Sequence, residues 1–198
     1  MTRQIVVAIT GASGAVYGIR TLEILRSLSI ETHLIISAAA RRILERETGR
    51  SADRVALLAS TTYPPDEIHA PIASGSFPID GMVVAPCSIK TLSAVANSYT
   101  SDLISRAADV CLKEGRPLVL LVRESPLHLG HLRLMTQAAE AGAAICPPIP
   151  IFYGQPQTVQ DIVDASVGRA LARIGIENEF YPRWKGCEMA DAEKPTTG

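Results

Sequence analysis

The feature that most constrains this fold is a repeated alternation of short apolar runs with longer helical patterns. Five runs are typical of strands buried on both faces: 4–10, 32–37, 81–86, 118–123 and 143–146. Helical periodicity predicts helices at 14–28, 38–48, 88–97, 101–114, 128–141 and 158–174. The alternation therefore predicts an α/β fold: a three-layer, doubly wound parallel sheet of the flavodoxin or Rossmann type, with its ligand at the carboxyl ends of the strands.

The chain has 198 residues, which is a normal size for one domain. We expect residues 1–185 to form that domain and the polar segment 186–198 to be a mobile tail. The Pro-, Ser- and Gly-rich stretch 60–78 is predicted to be a loop with one short strand around Ile68. Glycines stand where four helices are expected to end, at Gly49, Gly115, Gly142 and Gly175.

Composition excludes several classes of function. The 47% hydrophobic and 20% charged residues are an apolar balance that favours subunit contacts. A net charge of -1 provides no global field for nucleic acid. The sequence contains no apolar run long enough to span a membrane and no signal-peptide pattern at its start, so we expect a cytoplasmic protein. The four cysteines form no C-x-x-C pair and are expected to be free thiols.

The segment Thr10-Gly11-Ala12-Ser13-Gly14 follows the first strand and opens the first helix. Backbone N–H groups at such a helix start bind phosphate or another anion. The segment is neither a G-x-G-x-x-G nor a Walker pattern, so a tight turn without a ligand remains the alternative. The second strand ends in Ser37, and its only carboxylate, Glu31, lies at its start, which argues against NAD.

Two further strand ends carry polar residues. Ser88, Ile89, Lys90 and Thr91 follow the third predicted strand, where their hydroxyls can cap the next helix. The pair Arg123 and Glu124 follows the fourth, where it is either a phosphate and proton-transfer pair or a structural ion pair.

The other charged and reactive residues are less informative by themselves. Cys87 is interpreted as a packed thiol, and the His128 and His131 pair has no obvious third metal ligand. Charged residues on the predicted helices are, by default, solvated; they are Glu45, Glu47, Arg106, Lys113, Arg116, Arg169 and Arg173.

Taken together, the motifs resemble the UbiX-type flavin prenyltransferases, which include the small B subunits of phenolic-acid decarboxylase systems. The resemblance runs from about residue 4 to Trp184. Its motifs are TGASG at 10–14, ASGS at 73–76, PCSIKTLSAVA at 86–96, RAADV at 106–110, LKEGRPLVLLVRE at 112–124, FYGQP at 152–156 and PRW at 182–184. Each is weak alone, but in this order they are highly specific.

The resemblance implies an enzyme that joins the dimethylallyl group of dimethylallyl phosphate to reduced FMN, first at N5 and then at C6, without a metal. It implies FMN contacts from Gly11, Ala12, Ser13, Ser37, Ser88, Ile89, Lys90, Thr91 and Arg123. It implies a phosphate site of Lys113, Arg123, Tyr153 and Arg169, with Arg106 close by and Trp184 as an aromatic wall. The implied catalytic residues are Glu47, Glu124 and Ser13.

The chemistry is consistent with these residue types. Fixed cations stabilise a departing phosphate, and aromatic faces stabilise the developing allylic cation. One departure from the family pattern is Ile68, where some members carry a tryptophan, and it alters the expected prenyl pocket. The resemblance further implies a trimer-based dodecamer and a UbiD-type aromatic or phenolic acid decarboxylase as recipient of the prenylated FMN.

Two other functions remain open from the sequence. One is an FMN-dependent decarboxylase that acts directly on phenolic or 3-polyprenyl-4-hydroxybenzoate acids, although the catalytic His and Asn motif of related cysteine decarboxylases have no convincing match here. The other is a flavodoxin-like electron carrier, although such carriers tend to be acidic and this chain is nearly neutral.

Overall fold

The computed structural model describes residues 3–184 and 186. The strands are β1 (Gln4–Ile9), β2 (Glu31–Ile36), β3 (Thr61–Tyr63), β4 (Gly81–Cys87), β5 (Leu118–Val122) and β6 (Ala144–Ile145). The helices are α1 (Ala15–Ser27), α2 (Ala38–Thr48), α3 (Ala52–Ala56), α4 (Ile89–Ala96), α5 (Leu103–Lys113), α6 (Leu129–Glu140) and α7 (Val159–Arg173), and a 3-10 turn covers Pro71–Ala73.

The six strands form one parallel sheet in the order β3-β2-β1-β4-β5-β6. The five strands predicted from the apolar runs lie in the flavodoxin order, 2-1-3-4-5, and β3 extends the edge to give the Rossmann order. The predicted α/β class is confirmed. In both arrangements the strand order reverses beside β1, so that a crevice opens between the carboxyl ends of β1 and β4.

Alternating side chains of the buried strands divide the core into two layers. Ile5, Val7 and Ile9 of β1 pack with residues of α1, α2 and α7 on one face. Val6 and Ala8 pack with α4 and α5 on the other. Because both faces are covered, the strands have the continuous apolar runs that made them visible in the sequence.

The predicted short strand around Ile68 is wrong. The strand of this region is β3, which pairs with β2 through Thr61 to Tyr63, while Ile68 lies in a loop and is 50% exposed. The β-branched and aromatic residues before Pro64 pair with the free edge of β2, and two consecutive prolines, which lack an N–H, then end the ladder. The short helix α3 was also not predicted.

Other sequence expectations concern helix ends and thiols. Gly49 follows α2 with a φ of 65°, a left-handed conformation that favours glycine, as predicted. Cys87, Cys111 and Cys146 are free thiols. Cys187 and all of the predicted tail except Gly186 lie outside the described residues. Within the described part of the chain, every helix is too short or too polar to cross a membrane.

Candidate active site

A cleft of about 760 Å³ opens at the carboxyl edge of the sheet, around the β1–β4 crevice. We call it the edge cleft. Its lining comprises Gly11, Ala12, Ser13, Ser37, Ala38, Ala39, Arg42, Pro65, Asp66, Ser88, Ile89, Lys90, Thr91, Ser101, Asp102, Ile104, Arg123 and Glu124. All nine residues that the sequence predicted as FMN contacts are in this set, together with Glu124. Four separate strand ends bring them together.

Backbone hydrogen bonds continue between the strand ends beneath the edge cleft. The N–H of Ser37 donates to Ile9 O over 3.0 Å, that of Thr10 to Pro86 O over 3.2 Å, and that of Arg123 to Cys87 O over 3.0 Å. The loops that carry the cleft residues are therefore linked laterally just beyond the regular ladders. This linkage fixes their relative positions.

The loop after β1 is held by a carboxylate from α2. Gly14, the N-cap of α1, has no side chain to cap the helix. Instead, Glu47 Oε2 accepts the N–H groups of Gly14 and Ala15 at 2.9 and 3.0 Å. Glu47 therefore compensates the positive end of α1 and ties α2 to the glycine loop.

Glu47 is ionised at neutral pH. Burial on its own raises the pKa of this carboxyl, but hydrogen bonds from the Ser13 hydroxyl and the Ala15 and Gly14 amides, with the charge of Arg123, bring the pKa below its ordinary value. Of the three predicted catalytic residues, Ser13 and Glu124 line the edge cleft, whereas Glu47 does not and instead bonds to the backbone of Gly14 and Ala15, directly after Ser13.

Serine hydroxyls cap the two helices that begin at the edge cleft. Ser37 accepts the N–H of Ala40 at 3.2 Å at the start of α2. Ser88 accepts the N–H of Thr91 at 3.3 Å at the start of α4. The hydroxyl oxygens of Ser88 and Thr91 lie 3.1 Å apart. Both helix starts therefore direct N–H groups and hydroxyls towards the cleft. Lys90 beside them is 83% exposed at its side chain.

Arg123 and Glu124 follow β5 and line the same cleft. The Arg123 charge lowers the pKa of Glu47, and it partly offsets the rise in the pKa of Tyr17 that burial causes. Glu124 accepts the N–H of Ser125 at 3.0 Å. The alternative of a structural Arg123–Glu124 ion pair is absent from the salt bridges of residues 3–184.

The remaining predicted substrate residues lie away from the edge cleft within one chain. Arg106 on α5 donates to Ala73 O over 3.1 Å and pairs with Asp109 at 3.2 Å. Lys113, at the end of the same helix, pairs with Glu114. Neither residue lines the edge cleft of its own chain.

A second group lies around the segment 181–184. The rings of Tyr153 and Trp184 meet edge to face at 5.4 Å, and the Tyr153 hydroxyl donates to Pro182 O over 2.9 Å. Arg169 of α7 lies over the ring of Tyr181 at 5.8 Å. We call Tyr153, Arg169 and Trp184 the C-terminal cluster. It does not line the edge cleft of its own chain.

Several cleft residues were missed by the sequence reasoning. Arg42 lies one turn into α2 after the cap Ser37, and Asp102 is the N-cap of α5, where its carboxylate accepts Ser105 N at 2.8 Å. The N-cap residues Ser37 and Asp102 mark the starts of these helices in the sequence, and they could have indicated that both helix starts face the ligand edge. Pro65 and Asp66 come from the irregular loop after β3, where no pattern in the sequence indicates a fold.

The other candidate reactive groups carry no site in the described chain. Cys87 is fully buried, and burial raises the pKa of its thiol, as expected for a packed side chain. The rings of His128 and His131 lie 3.6 Å apart. Within residues 3–184 no group of three or more His, Cys, Asp or Glu could hold a metal ion.

The chain matches the family model described as Flavoprotein over residues 1–171. It is 54% identical over 187 residues to the flavin prenyltransferase UbiX of Salmonella typhimurium, covering 93% of this chain and 99% of that one. This chain belongs to the UbiX flavin prenyltransferase family. The resemblance seen in the sequence motifs is confirmed.

Solved structures of UbiX proteins share this fold. AnUbiX (PadA1), in complex with FMN and dimethylallyl pyrophosphate, superimposes with a TM-score of 0.92 at 46% identity, covering 95% of this chain and 100% of that one. A dodecameric FMN-dependent UbiX-like decarboxylase from Escherichia coli O157:H7 superimposes with a TM-score of 0.89 at 46% identity, covering 92% of this chain and 100% of that one.

Proposed function

We propose that this UbiX-family protein is a cytoplasmic flavin prenyltransferase, folded as one domain over residues 1–185. It joins a dimethylallyl group from dimethylallyl phosphate to reduced FMN, at N5 and then at C6. The observation that carries this proposal is the edge cleft: the nine predicted FMN contacts and Glu124 line one cavity at the β1–β4 crevice.

The residues of the edge cleft fit FMN. Its volume of about 760 Å³ lies within the usual range for small-molecule sites. Ser37, Ser88 and Thr91 supply hydroxyls, and Arg42 and Arg123 supply cations that suit a phosphate. When bound, reduced FMN supplies the nucleophilic nitrogen and an aromatic face for the allylic group.

The phosphate of the prenyl donor needs fixed positive charge as its bond to carbon weakens. We propose that Lys113, Arg123 and Arg169 stabilise the departing phosphate, with the Tyr153 hydroxyl as a further donor and Arg106 close by. The Trp184 ring forms an aromatic wall against the allylic cation. A site closed to water protects that cation from hydrolysis.

The two carboxylates have different tasks in this proposal. Glu47 is ionised, and the Ser13 hydroxyl is one of the groups that lower its pKa, so the carboxylate holds a negative charge and orients that hydroxyl beside the reacting groups. Ring closure at C6 needs one proton added to the allylic double bond and one removed from C6. Glu124 lines the edge cleft and would take up the C6 proton, and the phosphate released in the preceding step at N5 would be the other proton carrier.

The distant cations imply that neighbouring subunits complete each site. Lys113, Arg106 and the C-terminal cluster do not line the edge cleft of their own chain, so we propose that they reach the cleft of another copy in a trimer-based dodecamer. The apolar side chains near the cluster support such contacts, since Ile149 is 68% exposed, Phe152 72% and Trp184 62%. The dodecameric state of the E. coli relative supports the same assembly.

The modified flavin would leave for a UbiD-type aromatic or phenolic acid decarboxylase. We propose this partner because the resemblance to the UbiX-type family implies it.

A single incubation tests the reaction. Reduced FMN, dimethylallyl phosphate and the purified protein should yield a flavin whose mass has increased by one prenyl group, with a changed spectrum. An unchanged flavin would favour the electron carrier. Release of carbon dioxide from a phenolic acid by this protein alone would favour the direct decarboxylase, the activity named for the E. coli structure.

Mixing two impaired variants tests the shared site. Glu47→Gln damages the half of the site that the edge cleft supplies. Arg169→Met damages the half that the C-terminal cluster supplies. If neighbouring subunits complete each site, co-expressed mixtures regain part of the wild-type rate, because some sites receive both intact halves. A mixture no faster than the sum of the separate variants would place both halves within one chain.

A further inference from the structure

The β1–β4 crevice holds a buried side-chain bridge beneath the edge cleft. Thr10, the first residue after β1, is 1% exposed. Its hydroxyl donates to Pro86 O over 2.7 Å and accepts the N–H of Ser88 at 2.8 Å. One side chain therefore bonds both to the end of β4, at Pro86, and to Ser88, the first residue after that strand.

This bridge lies where the regular ladder ends. The pairing of β1 with β4 stops at Ala8 and Val84. The register between β4 and β5 shifts between Val84 and Cys87, so the end of β4 is irregular. Beyond this point, the backbone N–H of Thr10 and its hydroxyl both bond to Pro86 O, and they take over the lateral link between the strands.

The position of Ser88 controls part of the cleft wall. Its hydroxyl caps α4 and lies 3.1 Å from the Thr91 hydroxyl, and both residues line the edge cleft. Without the Thr10 oxygen, the Ser88 N–H loses its partner, and a part-buried N–H without a partner is costly. The loop would then move to find another acceptor, and both hydroxyls would move with it.

We infer that Thr10 is a positioning residue: its hydroxyl fixes the Ser88 backbone against the β1 loop and so sets the shape of the edge cleft for FMN. Thr10 does not line the edge cleft, and it acts through Ser88. The inference rests on the proposed function in taking the edge cleft as the flavin site.

The test compares FMN binding by matched threonine variants. Thr10→Val keeps the shape and removes the hydroxyl, whereas Thr10→Ser keeps the hydroxyl. Thr32→Val is the control. Thr32 is also 1% exposed, and its hydroxyl also accepts a backbone N–H, that of Ser60 at 3.1 Å. It lies near the start of β2, at the amino ends of the strands, away from the edge cleft. The measurements are titration of each apoprotein with FMN alone and the visible spectrum of the bound flavin.

We expect Thr10→Val to weaken FMN binding about tenfold and to shift the bound spectrum towards free FMN. Thr10→Ser should bind within about twofold of wild type, and Thr32→Val should alter only the melting temperature. Wild-type affinity in Thr10→Val would overturn the inference. So would a Thr10→Ser as weak as Thr10→Val, or an equal loss of affinity in Thr32→Val.

Two provisions keep the test decisive. If Thr10→Val does not fold, Thr10→Ala removes the same hydroxyl without placing a methyl group between Pro86 O and Ser88 N. Independently of any variant, hydrogen exchange of the Ser88 amide is measured in the wild-type apoprotein. The bridge predicts a protected amide, and rapid exchange would overturn it. A wild-type protein that binds FMN without transferring a prenyl group would refute the proposed function, while the Thr10 inference would still depend on the FMN titrations.

Discussion

Glu47 Oε2 lies 2.9 Å from the backbone nitrogen of Gly14 and accepts its N–H, so the last turn of α2 caps the first turn of α1. A glycine at this N-cap keeps the loop free of a side chain, and the carboxylate arrives from another helix. The group that supports the glycine loop is therefore the same group that places a negative charge beside the edge cleft.

Replacing Glu47 by Gln should separate these two tasks. The amide oxygen can still accept the N–H groups of Gly14 and Ala15, so FMN affinity should remain within about threefold of wild type. The lost charge should slow prenyl transfer about 100-fold. Single-turnover formation of the prenylated flavin measures the second effect, and FMN titration the first.

Glu45→Gln is the control for this variant, because Glu45 is an exposed carboxylate on the same helix. It should transfer the prenyl group at the wild-type rate. A wild-type rate for Glu47→Gln would remove Glu47 from the mechanism.

The buried His33 should make stability fall in mild acid. Its Nδ1 lies 3.1 Å from the Tyr63 hydroxyl and its Nε2 3.0 Å from Gln4 Oε1, and the neutral ring satisfies both contacts. Burial lowers the pKa of His33, and the charge of Glu31 offsets only part of that effect. Because the folded-state pKa is below that of the unfolded chain, full stability is present above about pH 6.5 and is lost as the pH falls towards the folded-state pKa.

Urea midpoints at about pH 7.5 and about pH 5.5 measure this effect. His33→Gln should be less stable than wild type at the higher pH but should show a flatter pH dependence. His69→Gln removes an exposed histidine and should keep the wild-type slope. An unchanged slope in His33→Gln would assign the acid sensitivity to another group.

The sequence was sufficient to predict the edge cleft, because parallel strands bring their carboxyl ends to one edge. Gly11, Ser37, Ser88 and Arg123 each follow a different buried strand, so their convergence follows from the alternation of elements alone. The motif resemblance added Glu47, which lies in the last turn of a helix and has no strand end to reveal it.

Other features depend on contacts that no local pattern encodes. The strand expected around Ile68 lies instead at Thr61–Tyr63, since the edge of β2 selects its partner by long-range pairing. In the C-terminal cluster, Tyr153 and Trp184 lie in irregular segments on either side of α7. Their distance from the edge cleft of the same chain is seen only in the three-dimensional structure.

The ion pair between Arg20 on α1 and Asp164 on α7 should contribute measurably to stability. Two parallel bonds, Nε to Oδ1 at 2.7 Å and Nη2 to Oδ2 at 2.9 Å, join side chains that are only 24% and 20% exposed. Asp164→Asn should therefore lower the free energy of unfolding by about 1 to 2 kcal/mol. Chemical denaturation of both proteins at neutral pH measures the difference.

The pair of Arg41 with Asp53 is the matched control. Its atoms lie 3.6 Å apart, and its side chains are 49% and 94% exposed, so solvent screens the interaction. Asp53→Asn should leave the unfolding curve unchanged. If the two variants lost equal stability, the loss would reflect charge composition and not the bidentate geometry.

Ser37 and Ser51 offer a paired test of whether helix capping and cofactor binding coincide at the edge cleft. Each serine is an N-cap: Ser37 accepts Ala40 N at 3.2 Å, and Ser51 accepts Arg54 N at 3.3 Å. Replacing either by Ala should cost about 0.5 to 1 kcal/mol of stability. Only Ser37 lines the edge cleft, so only Ser37→Ala should also weaken FMN binding, by about threefold to tenfold. Equal FMN affinities for the two variants, measured by titration at a temperature where both are folded, would exclude a flavin contact from the Ser37 hydroxyl.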